Sequence, residues 1–281
     1  MILIADSGST KVDWRAISND GTVLELTTEG INPVFQTKEI ILSIINDKLV
    51  PAFGKDITDI FFYGAGVVSA EMGELLGTYF SEVYPGCKTV ADSDILAAAK
   101  ALCGDNPGIV CIMGTGSNSA FYDGEKIVRN VKAGGFILGD EASGGYLGKR
   151  LISDFIKELL PEDLKAEFDK RYNLTYLDIV KEVYKSPVPS RFLASFSPFL
   201  SEFREHPYVK ALLEDSFDQY LTRNIKHYDY KNNKVNLIGS IAFYYQDILK
   251  ERAALQGMEI GRIIKSPIIG LVEYYKEKFN K

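Results

Sequence analysis

A turn that occurs twice constrains this chain more than any other feature. Residues 2–10 read ILIADSGST and residues 110–118 read VCIMGTGSN. Aligning Gly8 with Gly116 places Ser9 on Ser117 and superposes the apolar runs before each turn. Both copies continue through strand-like residues to a second turn, Asp20-Gly21 in the first and Asp123-Gly124 in the second. Glycine lets a backbone approach a ligand closely, and turn amides can converge on an anion. One such turn is most simply a β-hairpin. A matched pair, one in each half, predicts two lobes holding one polyphosphate.

Coarse periodicity supports two α/β halves. Strands are predicted at 2–6, 11–18, 22–28, 57–63 and 88–91, with helices at 38–50, 69–83 and 94–103. The second half opens with strand 108–113 and hairpin strands near 118–123 and 126–132. A glycine-rich stretch, AGGFILGDEASGG, leads into a helix from 145 to 160. Residues 161–230 read as helical almost throughout, an insertion the first half lacks. Strands at 235–239 and 258–264 and helices at 240–254 and 267–279 complete the pattern. The expected domains are 1–105, 106–266 and a terminal helix 267–281 that returns to the first lobe, with a hinge near 104–108. Phe192, Phe196, Phe199 and Phe203 recur at helical spacing, which predicts core rather than cofactor contacts.

Composition removes several functions. The net charge of −6, with no basic block, disfavours nucleic acid and anionic membrane as partners. No run reaches the length of a membrane span. The three cysteines, Cys87, Cys103 and Cys111, are odd in number and lack CxxC spacing. They support neither a disulfide framework nor a zinc or iron–sulfur site, and a reducing cytoplasm is the expected location. Cys87 and Cys111 lie in apolar contexts and are expected in the core. With two histidines only, His206 and His227, His-based catalysis has little material.

Asp6 stands inside the first turn. A carboxylate beside phosphate is repulsive, so Asp6 makes sense there if Mg²⁺ lies between them, bound directly or through water. The alternative is an Asp that stabilises its own turn; the repeated turn favours the metal. Ser7, Gly8, Ser9 and Thr10 offer amides and hydroxyls to phosphate, and Gly114, Thr115, Gly116, Ser117 and Asn118 offer the same from the other half. Lys11 is either a further phosphate contact or a solvent-facing strand residue. There is no GxxxxGKS run and no GxGxxG, so neither a P-loop nor a Rossmann site is expected.

The two turns, the segment GDEAS (139–143) and a late LIGSI (237–241) occur in the order found in sugar kinases of the actin/hexokinase/Hsp70 fold. The chain resembles most the N-acetylglucosamine kinases and the related ATPases that activate benzoyl-CoA reductase and hydroxyacyl-CoA dehydratase. The resemblance spans nearly the whole chain, and MGTGSNS and LGDEAS are its most specific parts. It implies a duplicated, two-lobed, ribonuclease H-like α/β fold with a helical insertion in the second lobe. MgATP is then expected between the lobes, with Asp6 as the metal-associated carboxylate. The family's catalytic base is an Asp at a helix start just before an Ala-rich run. VADSDILAAAKA offers Asp92 and Asp94, and Asp94, three residues before Ala97-Ala98-Ala99 and 20 before Gly114, is preferred. Helix capping, the structural role open to either, is compatible with catalysis.

By the same resemblance Asn32 and Asp140 bind sugar hydroxyls, with Thr115 and Gly135 completing the sugar set. Glu141 either assists them or favours the helix N-terminus. Gly239 and Ser240 resemble the adenosine motif. Two departures concern the acyl-amino pocket. Gly134-Gly135-Phe136 stands where animal N-acetylglucosamine kinases carry Trp-Gly, and Ala142 replaces a usual glycine. No cysteine pattern suits an iron–sulfur bridge, which weighs against the dehydratase-activator branch. The implied activity is ATP-dependent phosphorylation of an amino sugar or hexose, of N-acetylglucosamine type at C6. Relatives are often dimers, so a homodimer is also expected. The rivals are an ATPase that drives a partner protein and a sugar or nucleotide sensor.

Overall fold

The computed structural model describes residues 1–8, 11–64, 66–67 and 69–279. The chain forms two compact units. The first comprises Met1–Asn106, Gly124–Lys126 and Ser266–Lys281, and the second Pro107–Asp123 and Ile127–Lys265.

The first unit is built on a five-stranded sheet. Its strands are β1 (Ile2–Ser7), β2 (Lys11–Ile17), β3 (Val23–Glu29), β4 (Asp59–Gly64) and β5 (Lys88–Asp92), in the order β3-β2-β1-β4-β5. β2 pairs antiparallel with β1 and β3, while β4 runs parallel to β1 and β5. β1 is central, and its continuous apolar run is what a strand covered on both faces requires. Leu3, Ala5 and Trp14 face one core with Ile41, Ile45, Leu76 and Phe80 from the helical segment 38–53 and the helix Ala70–Val83. The helices Asp94–Cys103 and Pro267–Phe279 pack together on the other side. Gly270 permits that contact, since a Cβ there would lie 2.5 Å from the Ala101 carbonyl oxygen.

The second unit repeats this plan. β6 (Gly108–Met113), β7 (Ser117–Tyr122), β8 (Ile127–Val131), β9 (Val235–Ile238) and β10 (Ile260–Ile264) form a sheet in the order β10-β9-β6-β7-β8. β6 takes the place of β1, antiparallel to β7 and parallel to β9. Shared topology as well as shared turns therefore marks the halves as duplicates. The insertion between β8 and β9 is a set of helices with a common core: Phe168, Phe196 and Phe199 are buried, and Phe192 and Phe203 pack against them. Cys111 is buried, and Cys87 packs against the first unit's core.

The elements differ from expectation at specific places. The predicted helix 38–50 carries a π-helical turn at Ile45–Leu49 and extends to Phe53. The helix predicted at 145–160 stops at Ile156, with Glu158 in the left-handed region at φ 56°. The predicted helix 240–254 breaks at Tyr245, whose φ of −110° and ψ of 23° separate Ser240–Tyr244 from Gln246–Leu255. A four-residue helix, Gly135–Leu138, forms within the glycine-rich stretch.

Candidate active site

In each sheet the predicted residues collect at the carboxyl ends of the central parallel strands, where ligands bind open α/β sheets. In the first unit Asp6 is opposite Tyr63 across β1 and β4, and Tyr63 is opposite Asp92 across β4 and β5. Asp6 is also the register partner of Asp13 on β2. Burial, reinforced by the Asp13 and Asp94 carboxylates and eased by Lys11, pushes the Asp6 carboxyl up to about 7. A half-buried, desolvated carboxylate under like-charge pressure is a natural seat for a cation. Among the described residues no set of three or more His, Cys, Asp or Glu side chains is placed to hold a metal by itself. A metal at Asp6 thus needs further ligands from water or phosphate, the habit of Mg²⁺.

Asp94 is the first residue of the helix Asp94–Cys103, behind the N-cap Ser93. Burial raises its carboxyl, and the amide of Ile95 and its own amide hold it down. Asp92 is engaged differently. Its Oδ1 accepts hydrogen bonds from the Ser93 amide at 2.6 Å and the Ser93 hydroxyl at 3.1 Å. Asn32 closes a turn, with Oδ1 accepting from the Val34 amide at 2.9 Å. Ser7 Oγ donates to the Ile31 carbonyl at 3.0 Å, which ties the end of β1 to the segment carrying Asn32. Gly66 leaves room for Asn32: a Cβ at 66 would come within 2.6 Å of the carboxamide. Gly8 donates its amide to the Lys11 carbonyl at 2.9 Å, so that amide closes the turn itself. Lys11 is exposed and pairs with Asp13 at 2.8 Å. Ser9 and Thr10 lie outside the described residues.

Of the second unit's predicted residues, Gly114, Thr115 and Ser240 line a cavity of about 600 Å³ together with Gly144, Ile241 and Tyr244, whereas Gly116, Ser117, Asn118, Gly135, Asp140 and Gly239 are not in its lining. That volume falls in the ordinary range for small-molecule sites, roughly 300–1,000 Å³. The same unit has a cavity of about 510 Å³, walled by residues such as Ile152, Ile156, Ile179 and Val183, and no phosphate-turn residue lines it. The first cavity is therefore the one that adjoins the predicted turn at 114–118. Gly239 is required at its edge. Its φ is 121°, and a Cβ there would lie 2.2 Å from the Met113 carbonyl oxygen.

The second turn is closed by the Gly114 amide donating to the Gly116 carbonyl at 2.9 Å. Ser117 is buried, with Oγ donating to the Glu141 carbonyl at 2.9 Å. Asn118 Oδ1 accepts from the Ser119 amide and from Asn130 Nδ2, both at 2.9 Å. The side chains of Ser117 and Asn118 are thus engaged within the unit, which leaves exposed Thr115 as the hydroxyl of this turn open to a ligand. Asp140 is 9% exposed. Burial raises its carboxyl, while the Ser117 amide donates to it. Gly135 has φ 69°, and nothing lies within 4 Å of where its Cβ would be. Sequence reasoning did not find Arg223, which pairs with Glu141 at 2.7 Å. No local signal marks a partner so far along the chain.

Duplicated sheets with turns at their carboxyl ends define a two-lobed α/β protein of the actin-like ATPase class. A candidate N-acetylglucosamine kinase from Porphyromonas gingivalis superposes with a TM-score of 0.92 at 40% identity, covering 99% of each chain. On that similarity the chain belongs to the N-acetylglucosamine kinase-like family. A second such candidate, from Chromobacterium violaceum, gives a TM-score of 0.73 at 18% identity, covering 97% of this chain and 98% of its own. The ROK hexokinase of Thermus thermophilus gives 0.53 at 13% identity, covering 100% and 99%. The last two share the fold. A scan of protein-family profiles and a search of curated proteins each found no match.

Proposed function

We propose that the chain transfers the γ-phosphoryl group of ATP to a hydroxyl of an amino sugar or hexose, of N-acetylglucosamine type at C6. Asp94 carries this reading: a half-buried carboxylate at a helix start, its carboxyl raised by desolvation and its charge reaching Asp6. Its Oδ accepts the proton of the sugar hydroxyl as that oxygen forms its bond to phosphorus and the bond to the ADP oxygen breaks. Asp92 is the second choice, because Ser93 already donates twice to its carboxylate. Asn32, Thr115, Gly135 and Asp140 hold the sugar. Ser7, Gly8, Ser9, Thr10 and Lys11 serve the phosphates from the first unit, and Gly114, Thr115, Gly116, Ser117 and Asn118 from the second. Gly239 and Ser240 line the base side. Mg²⁺ fits beside Asp6 and supplies charge neutralisation of the phosphates.

Family membership at 40% identity supports the kinase over a partner-driving ATPase or a sensor. The test is coupled ADP release with MgATP against N-acetylglucosamine, glucosamine, N-acetylmannosamine, glucose and no sugar. Release dependent on one sugar is expected. Asp94→Asn should lower that release by about 10³-fold or more while ATP affinity stays within a few-fold, as for loss of a base needed only in the transition state. Equal release with and without every sugar would instead favour the partner-driving ATPase. Full activity in Asp94→Asn would move the base role to Asp92.

A further inference from the structure

Glu141 is a carboxylate that this kinase reading leaves without a task. It is 6% exposed. It stands between two non-glycine residues in the left-handed region, Asp140 at φ 54° and Ala142 at φ 57°. Such backbone persists only where its surroundings over-determine it. The determinants of this loop are visible. The Asp140 amide donates to the Ala133 carbonyl at 3.0 Å and the Ser143 amide to the Asp140 carbonyl at 3.0 Å. Gly144 and Gly145 donate their amides to the carbonyls of Gly114 and Thr115 at 2.8 and 2.9 Å, so the loop is bonded directly to the phosphate turn.

The Glu141 side chain points the other way, into the helical insertion. Arg223 Nε lies 2.7 Å from its Oε1, and Asn224 Nδ2 donates to its Oε2 at 3.2 Å. Arg223 ends the helix Pro207–Arg223, and buried Asn224 is its C-cap. The Glu141 carbonyl accepts from Ser117 Oγ, and the neighbouring Asp140 carboxylate accepts from the Ser117 amide. One residue thus joins three things: the phosphate turn, the carboxylate assigned to the sugar, and the end of the longest helix in the insertion.

We propose that Glu141, held by Arg223 and Asn224, is a positioning residue that fixes the left-handed turn aiming the Asp140 carboxylate. The helical insertion then sets the register between Asp140 and the turn at 114–118. This role rests on the sugar-kinase reading of Asp140. Its physical basis is that the loop's two strained residues do not favour their own conformation, so the charge pair adds to the backbone hydrogen bonds that constrain it. Displacing a substrate-holding group by about 1 Å can cost about 10²-fold in rate.

The test uses the full chain with Glu141→Gln, Arg223→Met and Arg223→Lys. Sugar and ATP are varied separately in coupled ADP release, and amide hydrogen exchange is followed across 139–145. Glu141→Gln should raise the sugar KM or lower kcat by about 10-fold or more while the ATP KM stays within about 2-fold, the split expected when orientation is lost without uniform binding. Exchange should rise in 139–145 alone. Arg223→Met should match Glu141→Gln, and Arg223→Lys should recover most of the loss. If Glu141→Gln does not fold, the two Arg223 variants carry the same comparison. Wild-type kinetics in Glu141→Gln would overturn the proposal alone. So would equal losses for sugar and ATP with exchange raised throughout the unit, which mark a merely structural role. Absence of sugar-dependent release in the wild type would overturn the kinase reading and with it this role.

Discussion

At the scale of single residues, one carboxylate makes stability depend on pH in a direction opposite to most acids. Asp6 keeps its proton up to about pH 7 in the folded chain, against 3.8 for an unperturbed Asp. The unfolded chain releases that proton near its ordinary value. Unfolding free energy therefore falls as pH rises across this window, by up to about 4 kcal/mol from this group. Asp6→Asn removes the ionisable group and keeps the size. Without Mg²⁺ it should raise Tm relative to wild type at pH 7.5, and the gap should close near pH 4. Adding Mg²⁺ with a non-hydrolysable ATP analogue should narrow the gap at pH 7.5, because a cation gives the ionised Asp6 its partner. A gap that is the same at both pH values would sink the account. Asp6 was legible in the sequence because it stands inside a repeated turn. The difference between Asp92 and Asp94 was not, because it depends on where Ser93 directs its amide and hydroxyl.

At the scale of elements, the turns fix which substitutions matter. Gly239 joins β9 to the helix Ser240–Tyr244, and its amide donates to the Ile264 carbonyl of β10 at 3.1 Å. A side chain there meets both a left-sided φ and the Met113 carbonyl oxygen at the end of β6. Gly239→Ala should therefore cost about 2–4 kcal/mol, from backbone strain plus a forced shift in a packed region. Because Ser240 and Ile241 line the 600 Å³ cavity, the shift should also raise the ATP KM more than the sugar KM. Denaturant unfolding and separate titrations check both parts, and an unchanged ATP KM would remove Ser240 from the nucleotide site. The strand–turn–strand units were readable because apolar runs end in small residues at both copies. The left-handed Asp140 and Ala142 were not, since their support comes from parts of the chain distant in sequence: backbone bonds to Gly114 and Thr115 and, through Glu141, contacts with Arg223 and Ser117. The break at Tyr245 was hidden for a related reason: its neighbours read as continuous helix, and packing against the insertion decides where the axis turns.

At the scale of the whole molecule, the first unit is completed by the last helix of the chain. Pro267–Phe279 buries Ile268, Leu271, Tyr274 and Tyr275. Tyr275 stacks on Phe61 of β4 at 4.0 Å between centroids, and its hydroxyl lies 2.5 Å from that of Tyr63. Tyr274 donates to Asp105 at 2.9 Å and Lys278 pairs with Asp105 at 3.2 Å, contacts that are partly exposed and contribute little beside the apolar burial. Burying four large side chains is worth about 6–12 kcal/mol at 1.5–3 kcal/mol each, comparable with the entire stability of a domain, about 5–15 kcal/mol. Among the described residues, the buried core of the second unit runs from Ile109 to Met258 and includes none from this helix. A chain stopped before Ser266 should therefore lose the first unit and keep the second. Limited proteolysis with mass spectrometry should show 1–106 cleaved rapidly and a fragment spanning about 107–265 protected, since cleavage tracks the population of the open state. Loss of protection across both units would mean that the second core needs the first to fold. Wild-type protection of 1–106 would mean that the sheet and the helix Asp94–Cys103 hold the unit without their last partner.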